Sequence, residues 1–395
     1  MKKYISTSFI SFFIYCLGLI SLTLIDVFVT RFYEKSQISI WVNIRSLFAI
    51  CSIFVLIGFD QLLIRRPDWI LKIKKIFTFQ VVILSFLVGC VIFILDYVSN
   101  IYLSILFVIF STLTYFFFQI FRLNNNFIYA QLVQQLWKIL TFIFVVLIWF
   151  FKIQITLDVI VVFTLFLTFI LAILMFKKVN YSNFPQINVN FFELYKYGVR
   201  MMVASLLLAL SVYGEFLILG FFSNYSIQSY YFSHAVYFLM PVTILNGFFT
   251  FQVGPWIRNN GKKYIALLKK NFLLGFLLLL IYILVIQFLG LIAWYLIFGN
   301  ILDINYKLSL IFSFICFFRT LEVFSSSYIS FFANISFQDK WLLGQGLILT
   351  LSFLLFYIFY DLRSVIFFVA FASLLNWIGR ALFGFYLMKY VKVEL

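Results

Sequence analysis

Seven charged residues stand inside long apolar runs: Asp26, Arg45, Lys138, Glu215, Arg319, Glu322 and Arg380. A charge at the bilayer centre costs roughly 2.5–3.5 kcal/mol on insertion scales, so seven of them facing lipid would be hard to tolerate. Grouped around a polar cavity inside a helix bundle, they suit transport. Lys138 is the foremost candidate for contact with a substrate. Together with Gln131, Gln134 and Gln135 it follows the i, i+3, i+4, i+7 spacing of one helix face, near the middle of its apolar run. Two readings stand: the stripe lines a cavity, or it glues helices through hydrogen bonds worth about 0.6–2 kcal/mol each. A lysine is a costly glue, which favours the cavity.

Arg319 and Glu322 lie three residues apart, close enough to pair on one helix face. An internal ion pair therefore stands beside a substrate or gating role for both, and Ser325, Ser326 and Ser327 continue the polar character. Arg45 lies about two turns inside its run, with Asp26 and Glu215 at similar depth, so either acid is a partner for it. Arg380, one turn after Asn376, is shallow enough to snorkel toward the helix end. The candidate substrate-binding residues are thus Lys138, Gln134, Gln135, Arg45, Arg319 and Arg380. The ion-coupling or gating candidates are Asp26, Glu215 and Glu322. A cationic vestibule favours an anionic ligand, with phosphate or carboxylate the obvious group, whereas isolated acids would take a proton or Na⁺.

Catalytic chemistry has no visible carrier. No Walker loop, HExxH or GxSxG occurs, so no catalytic residue and no cofactor is expected. His234 is the only histidine, which excludes a histidine-based metal cluster or triad. His234, in the same run as Pro241, reads as a hydrogen-bonded packing residue. Cys16, Cys51, Cys90 and Cys316 show no metal-like spacing and read as small apolar fillers.

The elements that must position these residues are spans. The 395 residues are 65% hydrophobic and 11% charged, with a mean hydropathy of +1.12, far outside the range of a soluble domain. The expected fold class is all-α, a polytopic membrane protein with about twelve transmembrane helices in two pseudo-symmetric six-helix halves around a central cavity. The spans fall near 8–30, 39–58, 76–95, 101–121, 128–151, 155–176, 201–222, 229–252, 272–299, 308–332, 341–360 and 364–388. The formal charge of +16 is topological and marks no nucleic-acid partner. Twenty of the 29 lysines and arginines fall in the loops of one side, five in those of the other and four inside spans. This bias sets both termini in the cytoplasm. The Met1-Lys2-Lys3 start runs into an uncleaved first span.

The longest polar connection divides the chain into 1–176, a cytoplasmic linker 177–200 and 201–395. Within the linker, Phe191 to Tyr197 reads as a helix lying at the membrane surface, and Lys262 to Lys270 as a second such segment. The halves are weakly repetitive. Ser36 to Asn43, entering the second span, aligns with Ser226 to Ser233, entering the eighth. Six-helix halves related in this way are a recurring transporter plan.

Three stretches carry a resemblance. They are Gly58-Phe59-Asp60-Gln61-Leu62-Leu63-Ile64-Arg65-Arg66, Phe192-Glu193-Leu194-Tyr195-Lys196-Tyr197-Gly198-Val199, and Tyr225-Ser226-Ile227-Gln228-Ser229-Tyr230-Tyr231. With the twelve-span layout, they make the chain similar to polysaccharide and O-antigen flippases (Wzx-like) of the multidrug/oligosaccharidyl-lipid/polysaccharide exporter superfamily. The family often has a proline where this chain has Arg200, and an aspartate where it has Glu215. The resemblance implies alternating-access movement of an undecaprenyl-diphosphate-linked oligosaccharide from the cytoplasmic to the periplasmic leaflet of a bacterial inner membrane, in lipopolysaccharide biosynthesis. It also implies membrane lipids, a polysaccharide polymerase and a chain-length regulator as partners. Lys138, Arg45 and Arg319 would then meet the diphosphate, and Gln134, Gln135 and tyrosines the sugar. The rival readings are an O-antigen polymerase, a membrane enzyme whose large outer loop has no counterpart here, and a small-molecule or drug antiporter of the same superfamily.

Overall fold

The computed structural model describes residues 2–65, 69–176, 190–222, 224–246, 270–299, 302–333, 335–358 and 365–391. Among them the regular structure is helical throughout. The helices are α1 (Lys2–Phe32), α2 (Lys35–Leu56), α3 (Phe59–Arg65), α4 (Ile70–Ile94), α5 (Ile101–Leu123), α6 (Phe127–Phe150) and α7 (Leu157–Phe176). They continue as α8 (Phe191–Phe222), α9 (Tyr225–Phe238), α10 (Phe272–Phe298), α11 (Tyr306–Phe332), α12 (Ile335–Ile358) and α13 (Val365–Met388). Eleven of them are long and apolar enough to cross a membrane. Their outward faces agree. On α4, Phe79, Val82, Phe86 and Ile94 are exposed; on α10, Leu273, Leu277, Leu284, Phe288 and Leu296 are. Apolar stripes of this extent have no place in water and form the lipid-facing sides of spanning helices. The protein is a multi-pass membrane protein.

The expected eighth span is broken. After α9 comes a turn at Leu239, and helical backbone resumes over 240–246, while 247–252 lies outside the described residues. Pro241 explains the break, because it has no N–H for the Tyr237 carbonyl and its ring crowds that turn. The neighbouring Phe238 carbonyl accepts instead from Gln287 Nε2 at 2.8 Å and from Cys316 Sγ at 3.4 Å. Segment 191–197, expected as a separate surface helix, runs into the seventh span without interruption. The 32 residues of α8 extend about 48 Å at 1.5 Å per residue, well beyond a hydrocarbon core of about 30 Å. Residues 177–189 of the linker and most of the second surface segment lie outside the described residues.

Residue packing divides the chain into Met1–Ser229 and Tyr230–Leu395. In the first unit α1 lies along α6, and α2 packs on α8, α5 and α4. Helix α2 is the most enclosed span. It ends at Ile57, whose φ of 47° lies in the left-handed region, and Gly58 follows at φ 70°. A Cβ on Gly58 would come 2.2 Å from the Gly198 carbonyl oxygen, and one on Gly198 would meet the Ile57 oxygen at 2.6 Å. The α2–α3 turn thus lies backbone to backbone on α8, and only glycine fits at either position. Gln80 and Tyr195 brace this junction. Gln80 Nε2 donates to the Val55 carbonyl at 2.7 Å, and the Tyr195 hydroxyl donates to Gln80 Oε1 at 3.0 Å. In the second unit α11 packs on α13, and α12 on α13. Gly384 lets α11 approach so closely that a Cβ there would lie 2.3 Å from Ser325 Oγ.

Candidate functional site

The first unit encloses a cavity of about 200 Å³. Helix α2 contributes Arg45, Phe48 and Ala49, α5 contributes Thr114, Tyr115 and Phe118, and α6 contributes Gln134, Trp137 and Lys138. Leu22 of α1 and Tyr213 of α8 complete the wall. Phe48 and Trp137 stack with ring centroids 4.6 Å apart, giving the cavity an aromatic side.

The polar stripe of α6 divides between two tasks. Gln134 and Lys138, one turn apart, line the cavity. Gln135 is buried against α1, where a Cβ on Gly18 would fall 2.3 Å from its Oε1. Lys138 Nζ donates to that same Oε1 at 2.7 Å, and Gln135 Nε2 donates to Gln131 and Gln134 at 3.3 and 3.2 Å. The glutamine ladder therefore fixes the ammonium with a neutral acceptor. Lys138 has no carboxylate at ion-pair distance among the described residues.

Arg45 enters the cavity wall from a tight pair. Its Nη1 bonds Asp26 Oδ2, while Trp41 Nε1 donates to Asp26 Oδ1 at 2.8 Å. Asp26, 1% exposed, is consequently no isolated acid; each of its oxygens holds a donor. Glu215 is buried on α8, two residues beyond the cavity-lining Tyr213. Two polar atoms of the lining residues, Trp137 Nε1 and Thr114 Oγ1, are buried and have no hydrogen-bond partner among the described residues. Buried polar atoms left unpaired in this way are costly.

Arg319, Glu322 and Arg380 meet in the second unit. Glu322 Oε1 pairs with Arg380 Nη2 of another helix at 3.3 Å. Arg319 Nη1 donates to Thr243 Oγ1 at 2.6 Å. The ring of Trp377 lies beside both arginines: the Arg319 and Arg380 guanidinium carbons are 4.9 and 5.4 Å from its centroid. Arg380 does not snorkel. It is 2% exposed, because the close α11–α13 approach at Gly384 brings Glu322 within its reach.

His234 is a packing residue. Its Nε2 accepts from the Asn305 N–H at 3.0 Å, so Nδ1 carries the proton and donates to the Tyr230 carbonyl at 3.0 Å. Both ring nitrogens are occupied, and the histidine ties the loop before α11 to α9. No group of three His, Cys, Asp or Glu that could hold a metal occurs among the described residues.

One network escaped the sequence reading. Gln228 Nε2 donates to Asn43 Oδ1 at 2.7 Å and to the Phe216 carbonyl at 2.9 Å, and Ser39 Oγ donates to Gln228 Oε1. Ser229 Oγ donates to the Lys35 carbonyl at 2.8 Å. Gly220 makes room for the amides, since a Cβ there would lie 2.7 Å from both Asn43 Oδ1 and Gln228 Nε2. The two stretches that align in sequence, 36–43 and 226–233, thus touch each other. The available signal was an amide in each apolar run at the aligned segments.

No family model matches the sequence, and no curated protein matches it. Solved structures of membrane transporters do share its fold. A structure of the lipid II flippase MurJ in an inward closed conformation matches with a TM-score of 0.68 at 16% identity, over 98% of this chain and 87% of that one. A MATE transporter in complex with Br-NRF matches with a TM-score of 0.54 at 12% identity, over 96% of both chains. An outward-facing multidrug resistance MATE transporter of the MOP superfamily gives 0.51 at 14%, over 96% of this chain and 93% of that one. At these identities the likeness fixes the fold, and it extends over nearly the whole chain.

Proposed function

We propose that this protein is a flippase of the MOP superfamily. In this reading it moves an undecaprenyl-diphosphate-linked oligosaccharide, an O-antigen or similar repeat unit, from the cytoplasmic to the periplasmic leaflet by alternating access. The observation that carries the reading is the cavity of the first unit. It offers an ammonium fixed by a neutral acceptor, a guanidinium and an amide beside an aromatic wall. A diphosphate is met by cations in a site of low dielectric, and sugar faces stack on aromatic rings. Lys138 and Arg45 take the diphosphate, Gln134 takes a sugar hydroxyl, and Gln135 aims Lys138. Asp26 holds Arg45 in place. Arg319 and Arg380 serve the second unit as further cations for the head group, with Glu322 and Glu215 as gating or ion-coupling acids. The protein resides in a bacterial inner membrane with both termini cytoplasmic. It works beside a polymerase and a chain-length regulator in lipopolysaccharide biosynthesis.

The likeness to MurJ supports a lipid-linked substrate, and the likeness to MATE transporters supports a drug antiporter as the second reading. The two separate in a strain lacking the gene, with surface polysaccharide and the lipid-linked sugar pool measured together. Loss of polymer with undecaprenyl-linked repeats held on the cytoplasmic side is the expected result. Single repeats still reaching the surface would make the chain a polymerase. An unchanged surface with altered drug sensitivity would make it an antiporter.

A further inference from the structure

Asp60 is a buried acid that the cavity chemistry leaves unused. It lies on α3, outside the eleven spans, with 1% of its surface exposed. Gln61 Nε2 donates to its Oδ2 at 3.1 Å, alongside backbone N–H groups. The helices packed against α3 are α5 and α8. From α5 the titratable and charged groups are Tyr102, Tyr115 and Arg122; from α8 they are Glu193, Tyr195, Lys196, Tyr197, Arg200, Tyr213 and Glu215. Among the described residues no cation is at ion-pair distance of the Asp60 carboxylate. Arg122 is engaged elsewhere, with Nη1 donating to Gln119 Oε1 at 3.2 Å and its guanidinium 5.3 Å from the Phe118 ring centroid. Burial lifts the Asp60 carboxyl to about 6. Asp60 also acts electrostatically on Tyr115, and Tyr115 is part of the cavity wall.

We propose that Asp60 is a proton-binding site whose occupancy governs how well the first unit's cavity takes an anionic head group. The inference rests on the reading that the cavity binds such a group. An ionised Asp60 places a negative charge beside one wall of the cavity and opposes an anion there. A proton taken up from the adjoining water removes that charge, and it leaves again when the anion departs. Linkage makes the effect reciprocal: binding of the anion draws a proton onto Asp60 as much as the proton favours the anion. The bias of cationic loops assigns this end of the protein to the cytoplasm, so the site reports the pH on the side where the substrate would load.

The test uses the full-length protein in lipid nanodiscs and farnesyl-diphospho-N-acetylglucosamine as probe. This is a diphosphate diester that does not itself titrate between pH 5.5 and 7.5. The native protein is expected to bind it about fivefold or more tightly at pH 5.5 than at 7.5. Asp60→Asn should bind with the acid-side affinity at both values, and Asp60→Glu should keep the pH dependence. An Asp60→Asn protein that retains the native pH dependence overturns the proposal. A second readout needs no ligand, namely the infrared difference between the two pH values. A protonated-carboxyl band present in the native protein and missing in Asp60→Asn supports the site, and an unchanged band overturns it. Failure of the probe to bind at either pH overturns the anionic-cavity reading and the coupling with it. The infrared band then still decides whether Asp60 holds the proton.

Discussion

Lys138 is held at the cavity by a neutral acceptor, the Gln135 carbonyl, and this shapes what its replacement should do. A hydrogen bond to a charged group is worth about 1.5–3 kcal/mol, so Lys138→Met should weaken binding of a lipid-linked diphosphate about tenfold or more. Thermal stability should hold, because no buried partner charge is stranded; a binding isotherm beside a melting curve checks both. Asp26 behaves in the opposite way. Removing one member of a buried ion pair leaves the other uncompensated at a cost of about 3 kcal/mol. Asp26→Asn should therefore lower the melting midpoint sharply. Asp60 gives a pH signature. Its carboxyl, ordinarily at 3.8, stands at about 6 in the folded protein, so the folded state holds its proton more firmly than the unfolded chain. Stability accordingly falls as pH rises from about 4 to 6, and the loss, about 3 kcal/mol, is complete above that window. Asp60→Asn should raise the melting midpoint at pH 7.5 and leave it unchanged at pH 4. That these residues were special was legible from charge amid apolar sequence. Their partners were legible only in part: Asp26 is one of the two acids that depth offers Arg45, and it pairs with it, whereas spacing along one helix gives no hint that Glu322 pairs with Arg380 of another.

The spans themselves were legible, because twenty apolar residues in a row admit few other fates in lipid, though α8 begins ten residues before the expected seventh span. The exceptions have local causes. Pro241 breaks the eighth span, and α3 is too short to give a hydropathy signal of its own. Contacts between helices were hidden because they depend on backbone proximity, not residue type. Gly198 shows this. Nothing in its neighbours Tyr197 and Val199 announces that the Ile57 carbonyl lies where a methyl group would go. Gly198→Ala should cost more than about 2 kcal/mol, since the obstacle is backbone and cannot swing aside. Gly275→Ala on α10, where an added Cβ meets nothing within 4 Å, should be neutral or mildly stabilising. Paired thermal melts of the two variants check the contrast.

At the scale of the molecule, the cation bias predicts both chain ends on the same, cytoplasmic side. Fluorescent-protein fusions at either terminus should glow and alkaline phosphatase fusions should stay inactive, with fusions after Phe32 or Phe298 giving the reverse. The fold was readable at this scale while direct sequence comparison yields no match. Lipid-facing positions accept any bulky apolar residue, so two chains of one fold can share only 16% of their residues. The identity of the sugar leaves no such trace, because hydroxyl recognition is spread over amides and aromatic rings that serve packing equally well.

The glycine contact between the α2–α3 turn and α8 also bears on how such proteins can recombine. It joins two distant stretches of sequence, those around Gly58 and Gly198, into one heritable unit. A chimaera spliced within the polar connection at 177–190 would take the two glycine partners from different parents and set mismatched backbones against each other. A crossover placed after Ser229, where the first packing unit closes, keeps both partners from the same parent. Domain-exchange experiments aimed at substrate choice have their natural seam there.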